Sequence, residues 1–190
     1  MALTFKEIMM AGALSFILVA ATGCPRRAAT NSPPDGAMAA VPSTHQNMIP
    51  DQVNTAGWDK AWTNLGNDVR QSFTPALPRL TAVEVDLVVG NPGTIGDQLT
   101  LTVLDANGRA LSTVSKMVPT EKSDQVVFVI PKGGVKVTPG QNYILKLSGG
   151  PTFGWKYMVG GYPKGAATFN DRPLLPGAWS TFLFQTFGAN

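Results

Sequence analysis

The sequence of 190 residues contains one cysteine, one histidine and 14% charged residues. One cysteine excludes an internal disulfide framework and a cysteine-rich zinc site, and one histidine excludes metal ligation by a histidine pair. These shortages also leave little room for nucleophilic catalysis by a Ser-His or Cys-His pair. The one histidine, His45, lies in a Pro- and Ala-rich stretch that gives a catalytic base no fixed position. The sequence therefore predicts that the protein is not an enzyme.

Clusters of basic residues are also missing. From residue 51 onward there are 12 Lys and Arg against 10 Asp and Glu, a net charge of +2, and the basic residues are scattered singly. Nucleic-acid binding needs clustered cations that displace counterions from the phosphate backbone. The sequence therefore predicts no nucleic-acid partner.

Helical periodicity is missing after the N-terminal segment, whereas 20 glycines and 15 prolines supply many turn signals. Three segments alternate between apolar and polar residues, as half-buried strands do. Their apolar positions are Val83, Val85, Leu87 and Val89; Leu99, Leu101 and Val103; and Tyr143, Leu145 and Leu147. The largely apolar run 125–130 is typical of a central strand, and Asn107-Gly108 predicts a type I′ hairpin turn. Residues 51–190 are therefore predicted to form an all-β, antiparallel β-sandwich of about eight strands.

The N-terminal apolar run, residues 8–21, follows Lys6 and carries no charge. It has the length of a signal-peptide apolar region and is shorter than the roughly 20 residues that a membrane span needs. The residues that follow it, Ala21-Thr22-Gly23-Cys24, resemble the lipobox of bacterial lipoproteins. The resemblance implies that residues 1–23 are a cleaved lipoprotein signal peptide and that Cys24 carries fatty acyl chains such as palmitate. An ordinary cleaved signal and an uncleaved membrane anchor remain as alternatives.

Residues 24–50 are predicted to be the lipidated cysteine and a flexible tether, because they are rich in Pro and Ala and offer little to bury. Each buried CH₂ of an acyl chain contributes about 0.8 kcal/mol to membrane association, and stable anchoring takes more than one chain. Pro25 stands where an Asp commonly retains such lipoproteins at the inner membrane of Gram-negative bacteria. The predicted location is the cell envelope, and the outer membrane if the source is Gram-negative.

Segments of residues 51–190 together resemble a family of bacterial C-terminal jelly-roll modules. The segments are QSFTP from Gln71, LTAVEVDL, LTLTVLDANGRAL, VVFVIP, VTPGQNYILKLS and the closing FLFQTFG. These modules are β-sandwiches of the carbohydrate-binding or galactose-binding type. The resemblance implies a jelly-roll-like β-sandwich whose ligand is a glycan.

Aromatic residues are the candidates for ligand contact, because sugar-binding sandwiches use exposed rings as apolar platforms and place them in loops and rims. The candidates are Tyr162 and Trp179, which lie in or beside Gly-rich connections, and Trp155 and Tyr157, which alternate with Phe153 along one strand face. Core packing is the alternative for each, since large aromatics also fill sandwich cores. Trp58 and Trp62 either cap one end of the sandwich or belong to the same platform.

Carboxylates supply no convincing catalytic or metal motif. Asp105-Ala106-Asn107-Gly108 has an incomplete calcium-loop spacing and is interpreted as a hairpin turn. Glu84 and Asp86 lie two residues apart on one strand face, but no cleft is predicted around them, and a solvated polar face is the favoured interpretation. The sequence predicts no metal site and no cofactor; a calcium ion bound by the loop residues Asp97 and Asp171 is the alternative.

The predicted function is that of a non-catalytic, membrane-anchored envelope lipoprotein whose β-sandwich binds a ligand, with a glycan as the preferred class. The alternative is a structural or protein-interaction subunit of a cell-envelope assembly. The predicted partners are accordingly a membrane, through the lipid anchor, and a glycan or an envelope protein.

Overall fold

The computed structural model describes residues 48–66, 68–122 and 124–190, and strands make up most of them. The strands are β1 (Ile49–Asn54), β2 (Ala61–Asn64), β3 (Val69–Phe73), β4 (Arg79–Val89), β5 (Gly96–Asp105), β6 (Ala110–Pro119), β7 (Gln125–Val129), β8 (Val135–Lys136), β9 (Tyr143–Ser148), β10 (Phe153–Val159), β11 (Ala167–Phe169), β12 (Arg172–Pro173), β13 (Ser180–Phe182) and β14 (Phe184–Ala189). One 3-10 turn spans Thr120–Lys122. Within these described ranges, no helix has the length and apolar character needed to cross a bilayer.

The strands form two antiparallel sheets. The first sheet runs β1-β14-β4-β10-β13, with β2 paired to β10 and with β7 and β8 paired to β4. The second sheet runs β12-β11-β3-β9-β5-β6. The apolar faces of the two sheets share one core, so the predicted all-β sandwich is confirmed.

The core is built from the alternating positions that the sequence shows. On β4, Val83, Val85 and Leu87 are fully buried, and the three apolar positions of β5 are at most 1% exposed. Tyr143, Leu145 and Leu147 point into the core from β9, as predicted. The closing strands contribute Phe182 and Phe184, both fully buried.

Two strand predictions are wrong. The described residues contain 14 strands, more than the eight expected, because β2, β8, β11, β12 and β13 are only two to four residues long and too short to show a period. Strand β7 was expected in the middle of a sheet, but within the described part of the chain it pairs with β4 alone. It is therefore an edge strand, and its alternation of buried Val126 and Phe128 with exposed Gln125 and Val129 is that of a half-buried strand.

The hairpin between β5 and β6 is confirmed, but its turn type is not. A type I′ turn needs positive φ at both central residues, and of the predicted pair only Gly108 has one, at 80°. Instead, the carboxylate Oδ1 of Asp105 accepts hydrogen bonds from the amides of Asn107 (3.0 Å) and Arg109 (2.9 Å). The turn closes with a left-handed glycine and a bulge, and the interpretation of this segment as a turn is borne out.

The domain begins slightly earlier than the predicted boundary at residue 51. Ile49 and Pro50 pair with Gly188 and Phe187 of β14, so these two residues belong to the sandwich and not to the tether. The predictions for residues 1–23, for Cys24 and for the tether as far as residue 47 lie outside the described residues.

Candidate functional site

Trp155, one of the four candidate ligand residues, lies in the core. Its side chain is fully buried, and its ring stacks on Phe182 with centroids 4.4 Å apart. The indole Nε1–H donates to the carbonyl of Leu183 at 2.8 Å. No face of this indole is open to a ligand, so the prediction of Trp155 as a contact residue is wrong and its core-packing alternative holds.

Tyr162 is also buried, with 5% of its surface exposed, although glycines surround it in the sequence. Its hydroxyl donates to Oε1 of Gln52 at 2.9 Å and accepts from the amide of Thr74 at 3.1 Å. Burial raises the pKa of this phenol above its usual value, although the Thr74 hydrogen bond opposes the shift. The ring edge meets Phe184 with centroids 5.2 Å apart. Tyr162 therefore joins strands inside the sandwich and is not an exposed platform.

Tyr157 is more exposed than Trp155 and Tyr162. It is half-buried at the end of β10 that pairs with β13, and its ring packs at a steep angle against Phe182, with centroids 6.2 Å apart. It shares the inward face of β10 with Phe153 and Trp155, as the alternation predicted. Its main contact is thus with the core.

Trp179 is the one candidate that is well exposed, at 49%. It lies in the connection between β12 and β13, and two hydrogen bonds fix it: Nε1–H donates to the carbonyl of Gly165 at 2.8 Å, and its own carbonyl accepts from the amide of Gly160 at 2.7 Å. The indole therefore has a defined position in spite of its loop location.

An open cavity of about 470 Å³ lies beside this indole. Its lining consists of Ser72, Gly165, Ala166, Ala167, Pro173, Ala178, Trp179 and Ser180. Most of these side chains are small, so Trp179 is the largest group on the wall. A cavity of similar size adjoins it across Pro173 and adds polar groups from Asn170 and Arg172.

Gly165 lies very close to the backbone of Ser72 on β3. A methyl group on its Cα would lie 1.8 Å from the carbonyl oxygen of Ser72 and 3.1 Å from Cε1 of Tyr162, so a larger residue does not fit without movement. The same glycine accepts the hydrogen bond from Trp179. Tyr162 and Trp179 thus both lie next to Gly165.

Trp58 and Trp62 do not line the Trp179 cavity. Both are 40% exposed, and they lie on the outer face of the first sheet, the face directed away from the second sheet. Trp62 pairs with Lys156 of β10, next to the inward-pointing Trp155, so alternation turns Trp62 and Lys156 outward. The Nζ atom of Lys156 lies 4.9 Å from the centroid of the Trp58 ring, a cation–π distance.

Two acidic residues interact with Lys156. Its side chain is only 14% exposed, and its ammonium lies 3.7 Å from the exposed carboxylate of Asp124. Asp86, 8% exposed on β4, points to the same outer face, and burial raises the pKa of its carboxyl, although Lys156 and a hydrogen bond with Gln125 oppose this shift. Asp59 accepts a hydrogen bond from the amide of Val159 at 2.9 Å. The interpretation of Asp86 as part of a solvated face was therefore wrong, since this carboxyl is buried.

The candidate calcium ligands have partners of their own. Asp171 accepts a hydrogen bond from Arg70, and Oδ1 of Asp97 accepts one from the amide of Gln98 at 2.8 Å. Arg70 also pairs with Asp68; burial alone would raise the pKa of Asp68, but Arg70 and Lys146 outweigh it and lower this pKa. In the described part of the chain, no group of three or more His, Cys, Asp or Glu is arranged to hold a metal ion.

No protein-family model matches the chain, and no curated protein matches it.

Proposed function

We propose that this protein is a non-catalytic envelope lipoprotein, anchored through Cys24, whose β-sandwich binds a glycan at the cavity beside Trp179. The observation that carries the proposal is an exposed indole beside an open cavity, with its Nε1–H bonded to the carbonyl of Gly165 and the backbone of the same residue bonded to Gly160. A ring that is already fixed loses little conformational freedom on binding, which favours stacking on the apolar face of a pyranose ring.

The composition of the cavity wall supports this ligand class. Alanine, glycine and serine side chains leave space for a sugar ring, and Arg172 and Asn170 of the adjoining cavity offer hydrogen-bonding groups for its hydroxyls. An apolar wall with a few polar groups at its margin is the usual composition of a small-molecule site.

Binding of the full chain to insoluble peptidoglycan, chitin and cellulose tests the proposal. Trp179→Ala should weaken binding at least about tenfold, equivalent to about 1.4 kcal/mol, because the stacking surface is lost. Ala178→Glu should do the same by filling the cavity while the indole stays in place. Ile95→Ala is the matched control, because it removes an exposed apolar side chain, 93% accessible, that does not line the cavity.

Two results would refute glycan binding at this cavity. One is that the folded chain binds none of the three polysaccharides. The other is that both cavity variants bind as well as the wild type does. The anchor is tested separately: Cys24→Ser should move the protein from the detergent phase to the aqueous phase, and retention in the detergent phase would contradict lipidation at this residue.

A second candidate function is that of a protein-interaction subunit in an envelope assembly. Strand β1 is an edge of the first sheet and exposes two apolar side chains, Ile49 at 47% and Val53 at 52%. An edge strand with apolar side chains is a site for strand addition by a partner. If this function is the correct one, Val53→Lys should abolish partner cross-linking and leave polysaccharide retention unchanged.

A further inference from the structure

We infer that the outer face of the first sheet carries a second glycan-binding surface, formed by Trp62, Trp58 and Lys156, which takes an uncharged chain of pyranose rings. This surface belongs to another part of the sandwich than the Trp179 cavity. The inference does not require that cavity to bind.

The position of Trp62 depends on two glycines. A methyl group on Gly154 would lie 2.0 Å from Cε3 of Trp62, and one on Gly90 would lie 2.9 Å from both Cζ3 and Cη2. The benzo edge of the indole therefore rests directly on the backbone of β10 and on the end of β4. These two contacts hold the ring by its edge, and 40% of the residue remains exposed. Trp62 is thus a fixed, solvent-accessible aromatic group.

Trp58 is fixed on the same face by different contacts. Its Nε1–H donates to the carbonyl of Ala61 at 2.8 Å, and its ring carries the ammonium of Lys156 at 4.9 Å. Because Lys156 is also the cross-strand partner of Trp62, its side chain lies on the same sheet face as both indoles. Two rigid aromatic groups beside a charged donor are the elements of a stacking site with directional hydrogen bonds.

The charges of this surface favour an uncharged ligand. The ammonium of Lys156 is accompanied by the carboxyl groups of Asp86 and Asp124. An anionic polysaccharide or an anionic lipid surface would meet repulsion from these acids. The 3.7 Å separation between Lys156 and Asp124 is longer than a normal hydrogen bond, so a ligand hydroxyl beside them can bond to both groups. Asp124, whose side chain is 93% exposed, is also free of steric cover.

The four tryptophans permit a direct test, because each contributes one indole N–H signal to the spectrum of the ¹⁵N-labelled full chain. The probes are cellohexaose and chitohexaose, two uncharged pyranose chains. We expect saturable shifts of the Trp62 and Trp58 signals, and no shift of the buried Trp155. The Trp62 shift should persist in Trp179→Ala, since the two sites are separate.

Two variants and one control check the geometry. Trp62→Ala should lower the affinity for the hexasaccharide that binds by at least about tenfold. Gly154→Ala should also weaken binding, because the added methyl group displaces the indole while both tryptophans remain in the chain. Gly93→Ala should bind normally, because a methyl group there meets only Oδ1 of Asn91 at 3.5 Å. Unfolding curves for each variant show whether it is folded.

The outcomes separate this surface from the proposed function. A shift of the Trp179 signal alone would overturn the second surface and leave the cavity proposal intact. Shifts of the Trp62 and Trp58 signals alone would support the second surface and count against the cavity proposal. If neither hexasaccharide moves Trp62, the inference is refuted. It is also refuted if vesicles of phosphatidylglycerol and phosphatidylethanolamine shift Trp62 and the sugars do not, because the surface would then face a membrane.

Discussion

Replacement of Tyr162 should destabilise the sandwich and should not act by removing a ligand contact. The Tyr162 hydroxyl joins Gln52 of β1 to the backbone of Thr74 after β3, and the ring packs against Phe184 of β14. Three separate parts of the chain therefore meet at one side chain. Tyr162→Phe tests the hydroxyl, and Tyr162→Ala tests the hydroxyl and the ring together.

The structure sets the size of both effects. Without the hydroxyl, Oε1 of the buried Gln52 and the amide of Thr74 each lose a partner, and a buried polar group without a hydrogen bond costs about 1–3 kcal/mol. Because Thr74 is only partly buried, we expect Tyr162→Phe to lower the free energy of unfolding by about 2–4 kcal/mol. Loss of the ring adds about 3–5 kcal/mol in Tyr162→Ala. This second total approaches the whole stability of a typical domain, about 5–15 kcal/mol, so the alanine variant should be largely unfolded.

Urea unfolding of the full chain, followed by tryptophan fluorescence, measures these changes, since Trp155 becomes exposed on unfolding. The Tyr162→Phe transition should move to lower urea with an unchanged slope. Tyr157→Phe is the matched control, because this tyrosine packs against Phe182 in a similar way but is only half-buried. A loss below about 0.5 kcal/mol for Tyr162→Phe, or a folded Tyr162→Ala that fails to bind glycan, would refute the structural role.

Two further variants address the core and the outer face. Trp155→Ala should lower the free energy of unfolding in urea by about 3–5 kcal/mol. Trp155→Phe should lower it much less, because the Leu183 carbonyl loses the indole hydrogen bond but still accepts one from the amide of Asp86. Equal losses for the two variants would contradict this expectation. Asp86→Asn should become more stable relative to the wild type as the pH rises. The buried Asp86 has a pKa above its usual 3.8, so the folded state binds its proton more tightly and loses that advantage as the pH rises through the raised pKa. Unfolding free energies between about pH 3 and pH 7 measure the difference, and a difference independent of pH would contradict the assignment.

The buried faces of the long strands were predictable from sequence. On β5 and β9, alternation alone identifies which residues enter the core, because successive side chains of a strand point to opposite sides. The same rule placed Phe153, Trp155 and Tyr157 on one face of β10. It did not say which aromatic residues would remain accessible, since exposure depends on strands that are distant in the chain. Tyr162 shows this: its glycine neighbours suggest an open loop, but its hydroxyl partner belongs to β1.

Turn types were harder to predict for a local physical reason. Asn107-Gly108 suits a type I′ turn, but the carboxylate of Asp105 binds two amides of the same segment and favours a different one. The two-residue connection between the paired strands β11 and β12 has positive φ at both of its residues, Asn170 (51°) and Asp171 (59°). Asn and Asp tolerate this conformation, but without a glycine they give a weaker turn signal.

Two of the exposed indoles in the proposed sites, those of Trp179 and Trp62, lie against a glycine. Gly165 holds Trp179 through its carbonyl and lies against the backbone of β3, and Gly154 lies under the edge of Trp62. A Cβ on Gly154 would occupy the space of the Trp62 ring, whereas a Cβ on Gly165 would meet the carbonyl of Ser72. The core of the fold contains neither exposed indole. A rigid ring that stays accessible combines low ordering cost with available apolar area, which is what stacking on a sugar requires. Gly154→Ala therefore tests the second surface more sharply than removal of Trp62, because it changes the position of the ring and keeps its chemistry.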